Sequence, residues 1–116
     1  MLVGARFAEI STGGNHTCGV LLASVLTTLC WGRVDAGQLG TGISGAGVFV
    51  LTPAQIAGGI PISAMSAGDE HTCGLSGGVA YCWGRGSFGR LGNGSTNDQN
   101  TPVRVLDPPY QAAFVR

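Results

Sequence analysis

A chain of 116 residues with 44% hydrophobic content has enough apolar material for one modest core, which excludes a disordered segment. Charged residues make up 10% and the formal net charge is zero, with six arginines scattered from Arg6 to Arg116 and no lysine, so nucleic acid and anionic membrane are not expected partners. The longest mostly apolar stretch, Gly19 to Trp31, is broken by Ser24, Thr27 and Thr28 and is shorter than the ~20 residues a membrane helix needs, so no membrane span is expected.

In chain order, short β-branched or aromatic runs punctuated by Gly and Pro predict strands at Phe7 to Ser11, Thr17 to Leu22, Leu26 to Trp31 and Val48 to Ile56. A second set is predicted at Ile62 to Ser66, Thr72 to Ser76, Val79 to Trp83 and Pro102 to Val105. No segment carries a sustained 3.6-residue apolar period, so the expected fold class is all-β. Met1 to Glu9 lacks the cationic start and apolar run of a signal peptide.

The two sets are copies. Ile10-Ser-Thr-Gly-Gly-Asn-His-Thr-Cys-Gly-Val20 returns as Met65-Ser-Ala-Gly-Asp-Glu-His-Thr-Cys-Gly-Leu75, at an offset of 55. Cys30-Trp31-Gly32-Arg33 returns as Cys82-Trp83-Gly84-Arg85, and Gly37-Gln-Leu-Gly40 as Gly89-Arg-Leu-Gly92, both at 52. Thr52-Pro53 returns as Thr101-Pro102, at 49. A period near fifty residues, with insertions confined to expected loops, marks units that bury their faces against neighbours, as propeller blades do.

The joined pattern G-x-x-H-T-C, C-W-G, G-x-L-G and T-P resembles the regulator-of-chromosome-condensation repeat family, over nearly the whole chain. The resemblance implies two consecutive four-stranded antiparallel blades of a β-propeller, with a seven-bladed parent. The division expected is 1–61 for the first repeat with its leading strand and 62–116 for the second with the start of a third. Arg6 to Ile10 at one end and Gln111 to Val115 at the other read as strands, so the chain resembles an excerpt from a longer protein.

The cysteines carry the strongest local geometry. Gly77-Gly78 suits the positive φ angles of a two-residue hairpin turn, and counting outward from it makes Cys73 and Cys82 a directly opposed, non-hydrogen-bonded pair. Such pairs bring Cα atoms to ~4.5 Å, within disulfide range. Cys18 and Cys30 are opposed in the same way if their connection is odd-numbered and centred on Ser24. Two hairpin disulfides are therefore predicted, and with them an oxidising compartment. The alternatives are free buried thiols, or zinc held by His16 or His71 with the neighbouring thiolates, against which the C-x₂₋₄-C spacing is missing.

A Cys–His nucleophile pair is a further reading of the same residues, but it would occur twice where an active site occurs once. His16 and His71 are instead expected to be buried or half-buried residues whose ring nitrogens bond backbone between strands. Trp31 and Trp83, each following a cysteine, project to the opposite face and are expected between blades with the indole N–H partnered. Gly37, Gly40, Gly89 and Gly92 are expected to form tight turns with Leu39 and Leu91 tucked inward, and Pro53 and Pro102 complete the structural repeat. Two glycosylation sequons occur, at Asn15 and Asn93; the second lies in a polar loop that would accept a glycan, while the first enters a strand. With a single carboxylate, Asp98, that polar loop does not suit Ca²⁺, and no cofactor is expected.

The resemblance implies a ring whose function sits in variable loops, with relatives that include a guanine-nucleotide exchange factor, a chromatin-docking protein, an ultraviolet photoreceptor and receptor ectodomains. None of their functional loops maps onto this chain. The expected function is a non-catalytic protein-interaction or adhesion scaffold, extracellular or at the cell surface, similar to cysteine-paired repeats of bacterial surface proteins. Its contact surfaces would be the loops Ile43 to Phe49 and Ser95 to Gln99. The alternative is a cytoplasmic regulator of a small GTPase. Further blades, or self-association, are the expected cover for the outer flanks.

Overall fold

The computed structural model describes residues 6–22 and 26–106. Eight strands form two four-stranded antiparallel sheets, each in simple sequential order. The first contains β1 (Phe7–Thr12), β2 (His16–Leu21), β3 (Thr27–Arg33) and β4 (Phe49–Gln55). The second contains β5 (Ala64–Ala67), β6 (His71–Ser76), β7 (Val79–Gly84) and β8 (Gln99–Arg104). These are two stacked blades of the β-propeller kind, and among the described residues no helix is long and apolar enough to cross a membrane. Ser24, and the predicted strand from Gln111 to Val115, lie outside the described residues.

Local sequence sets the registers. Gly77 and Gly78 take φ of 56° and 83°, the left-handed pair that matches the twist of a tight hairpin, and this pins Ser76 opposite Val79, Leu75 opposite Ala80 and Cys73 opposite Cys82. In the first blade Cys18 stands opposite Cys30 by the same ladder. The prolines sit where the outer strands leave the ladder. Cys30 pairs with Ala54 and Gly32 with Val50, so Leu51, Thr52 and Pro53 all face the single residue Trp31. Likewise Asn100, Thr101 and Pro102 face Trp83. A proline has no N–H to give to a ladder, and an edge-strand bulge is where that omission costs least.

Two strands start two or more residues from where they are expected. β8 begins at Gln99, three residues before the predicted Pro102, because the bulge lets pairing resume beyond the proline at Gly84. β5 starts at Ala64 and not Ile62, since Ile62 leaves the sheet to enter the core. Single 3₁₀ turns at Ala57–Gly59 and Ser87–Gly89 had no periodic signature to announce them.

The core lies between the sheets. Cys18, Val20, Cys30, Val34, Leu39 and Ile56 from the first blade close over Ile62 and Trp83 from the second. Each sheet thus has two unlike faces. The cysteine face of the first blade points forward along the chain, and the tryptophan face of the following blade packs back onto it.

Candidate functional site

The seam between the blades gathers most of the residues the repeat singles out. At its centre His16 is buried, and its Nε2 lies 2.8 Å from the Thr72 hydroxyl. Thr72 donates in turn to the Gln38 carbonyl at 3.0 Å, so its oxygen accepts from an Nε2-protonated imidazole. His16 thus reaches a side chain on the next blade, because Thr72 projects from β6 into the space between the sheets, besides a backbone hydrogen bond at His71. Neither His16 Nδ1 nor His71 Nδ1 has a hydrogen-bond partner among the described residues. Burial is the main cause that lowers the pKa of His16, and His71 is lowered by burial and then by Arg90, so both are neutral near pH 7.

Toward the inner strands, side chains of β1 satisfy the edge of β5. Glu9 accepts from the Met65 amide at 2.6 Å and Ser11 Oγ from the Ala67 amide at 2.9 Å. An open strand edge is thereby capped by the preceding blade.

Trp83 is fully buried against the first blade, where Gly40 lies flat beneath its ring. A Cβ on Gly40 would come within 2.8 Å of Trp83 Cδ1, and its φ of 69° is left-handed, so both space and backbone demand glycine. The indole N–H, expected to find an acceptor, has none among the described residues. Trp31 is only half-buried, with its ring 5.9 Å from that of Phe7. It stands on the outward face of the first blade, and Trp83 takes the expected place between the two described blades. Gly37, Gly89 and Gly92 share the left-handed backbone, at φ of 80°, 70° and 69°, and Leu39 and Leu91 beside them are fully buried.

Disulfides join Cys18 to Cys30 and Cys73 to Cys82, with Cα separations of 4.1 and 4.0 Å. Neither pair offers a thiolate to a metal or to a nucleophilic mechanism. The two sequons are reversed in accessibility from what was expected: Asn15 is exposed in the turn before β2, whereas Asn93 is half-buried with its side chain accepting from the Ser95 amide.

At the outer rim the two variable loops come together. Asn100 Nδ2 donates to the Gly42 carbonyl at 3.2 Å and lies 3.4 Å from Ser44 Oγ, while the Gly42 amide donates to the Asn100 carbonyl at 2.7 Å. A polar cleft of about 160 Å³ opens there, lined by Asp35, Ala36 and Ser44 on one side and Asp98, Gln99 and Asn100 on the other. Both carboxylates are engaged. Gln38 donates to Asp35, which holds that carboxyl below its ordinary range, and Asp98 accepts from the Gly86 amide. Beside the cleft, Ile43 and Val48 are exposed. No nucleophile–base pair is assembled among the described residues that line it.

The family model for the regulator of chromosome condensation repeat matches residues 27–75 and 77–115, well over half of the chain. The chain belongs to the regulator of chromosome condensation repeat family. The ultraviolet-B receptor UVR8 of Arabidopsis thaliana is 36% identical over 105 residues, which cover 90% of this chain and 23% of the receptor. The probable E3 ubiquitin-protein ligase HERC3 of Homo sapiens is 35% identical, over 91% of this chain and 10% of the ligase. Among solved structures, Prp20p of Saccharomyces cerevisiae superposes with a TM-score of 0.78 at 21% identity, over 93% of this chain and 27% of that one, a likeness of fold. The chain spans less than a third of the length of each of these relatives.

The matched repeats run out of phase with the blades. The first, 27–75, begins at β3 of one sheet and ends on β6 of the next. The first matched segment therefore spans the seam between the two sheets.

Proposed function

We propose that this chain is a non-catalytic propeller module that binds protein partners through the rim where its two variable loops converge, in an extracytoplasmic setting. The observation that carries the reading is the Asn100 bridge to Gly42 and Ser44, which ties the loop of the first blade to the start of β8, just after the loop of the second, with exposed Ile43 and Val48 beside a polar cleft. Rigid presentation of loop residues by a scaffold is the usual way such folds bind. Hairpin disulfides in both blades support an oxidising compartment. A GTPase-regulator role draws support only from likeness of fold to Prp20p, whose structural report concerns binding to Gsp1p and histones.

Photo-crosslinking from Ser44 and from Thr96 in the native host tests the reading. A discrete protein adduct is expected from both positions, reduced about tenfold by the pair Ile43→Ser and Val48→Ser with the fold intact by circular dichroism. No adduct from either position, or an adduct indifferent to the pair, would overturn the binding surface. Four reactive thiols in freshly isolated denatured protein would overturn the compartment.

A further inference from the structure

The chain has four asparagines, Asn15, Asn93, Asn97 and Asn100, and local backbone chemistry separates them. An asparagine loses its side-chain amide unaided when the main-chain nitrogen of the next residue closes onto its Cγ. Closure is favoured by a following residue with no Cβ in the path, a following N–H that no hydrogen bond holds, and a side chain already folded back over its own main chain. Asn15 precedes His16, which begins β2. Asn100 precedes Thr101 within β8, and its own side chain is committed to Gly42 and Ser44. Asn97 is exposed, but the Cβ of Asp98 follows it. Asn93 meets all three conditions. Its neighbour Gly94 is exposed, in left-handed backbone at φ 79°, and the Gly94 amide has no acceptor among the described residues. Asn93 Oδ1 accepts from the Ser95 amide at 3.3 Å, which closes a turn around Gly94 and draws electron density away from Cγ.

We propose that Asn93 is a site of spontaneous deamidation. The Gly94 nitrogen bonds to Asn93 Cγ as the Cγ–Nδ2 bond breaks, and Nδ2 leaves as ammonia with the proton from that nitrogen, so a cyclic succinimide remains. Water then opens the ring at one of its two carbonyls. Opening at Cγ leaves an aspartate on an unaltered main chain. Opening at the main-chain carbonyl leaves an isoaspartate, whose main chain runs through the former side chain and gains a methylene. Either route consumes one water and releases one ammonia, with no change of oxidation state.

The second product bears on the fold. Before the site, Leu91 is fully buried and the Gly92 carbonyl accepts from the Leu106 amide at 2.8 Å. After it, the Asn97 amide donates to Ser95 Oγ at 3.0 Å, and Asp98 accepts from the Gly86 amide at 2.9 Å. The added methylene falls between these anchorages, so the loop over 95–98 must absorb it, and that loop supplies Asp98 to the polar cleft at the rim. In the first blade the counterpart of Asn93, at the offset of 52, is Thr41, which cannot react in this way. The two rim loops therefore age unequally. The modification stands whether or not the rim binds a partner.

Incubation of the folded chain in mildly alkaline buffer tests the site, read by peptide mass mapping and by enzymatic methyl labelling of isoaspartate. Conversion at Asn93 is expected to run about tenfold or more ahead of that at Asn15, Asn97 and Asn100. The Asn93→Thr chain, which copies the first blade, should release no ammonia over the same period, and the urea-unfolded chain serves as a comparison that needs no variant. Purified isoaspartate form should unfold at a lower temperature than fresh protein, whereas Asn93→Asp, which adds the charge without the methylene, should unfold like fresh protein. Asn93 left intact in the folded chain over the time in which the unfolded chain converts it, or conversion led by Asn97, would overturn the site. An isoaspartate form as stable as the fresh chain would overturn its effect on the loop.

Discussion

The Thr72 hydroxyl accepts from His16 and donates to Gln38, so both of its hydrogen-bonding roles are used on the neighbouring blade. Thr72→Val keeps the shape and removes the bridge, leaving a buried imidazole N–H and a carbonyl without partners; a loss of about 2 kcal/mol in urea unfolding is expected, with Thr72→Ser recovering most of it. The histidines add a pH dependence. Burial lowers the pKa of His16 below its ordinary 6.5, against a raising contribution from a backbone hydrogen bond at His71, and burial moves the pKa of His71 the same way. The unfolded chain therefore binds more protons than the folded one below pH 6.5. Stability should be full above that value and decline as pH falls toward the folded-state pKa values, seen as a falling thermal midpoint that His16→Gln flattens. The repeat G-x-x-H-T-C marked both His16 and Thr72 from sequence. What it could not show is that a histidine bonds the threonine of the following copy and not the one beside it, because that depends on how sheets stack and not on spacing along a strand.

Hairpins are the elements in which sequence and structure agree most closely, and the reason is local. A Gly-Gly turn with both φ positive leaves one register open, and the cysteine pairing follows from counting. The outer strands were less legible, since a proline bulge hides three residues of β8 from an alternation test. Stacking also makes the two disulfides unequal. Cys18 and Cys30 are fully buried under the second blade, whereas Cys73 is half-buried and lines an open apolar cavity. Limited reduction of the dilute chain followed by alkylation and mass spectrometry should therefore label Cys73 and Cys82 about tenfold faster than Cys18 and Cys30, since exchange requires access for the attacking thiolate. The two bridges close short loops, and each adds about 2–3 kcal/mol by restricting the unfolded chain.

At the scale of the whole molecule, the all-β class, the two blades and the two variable loops could be read from a duplicated pattern, while the contact that joins Ser44 to Asn100 could not. Ser44 and Asn100 are separated by 56 positions and share no motif, and only the stacking of the sheets makes them neighbours. The covalent layout has a mechanical side. Both bridges lie within hairpins and none crosses from blade to blade, so a pull on the two ends loads the seam first, through hydrogen bonds and the ring of Trp83. Once the blades part, the spans closed by cystine, 12 and 9 residues in separation, stay gathered and withhold roughly 60 Å of contour from a fully stretched chain. A tether built this way yields early at its joint and then stops short, and reducing agent would lengthen it without altering the load at which it first gives.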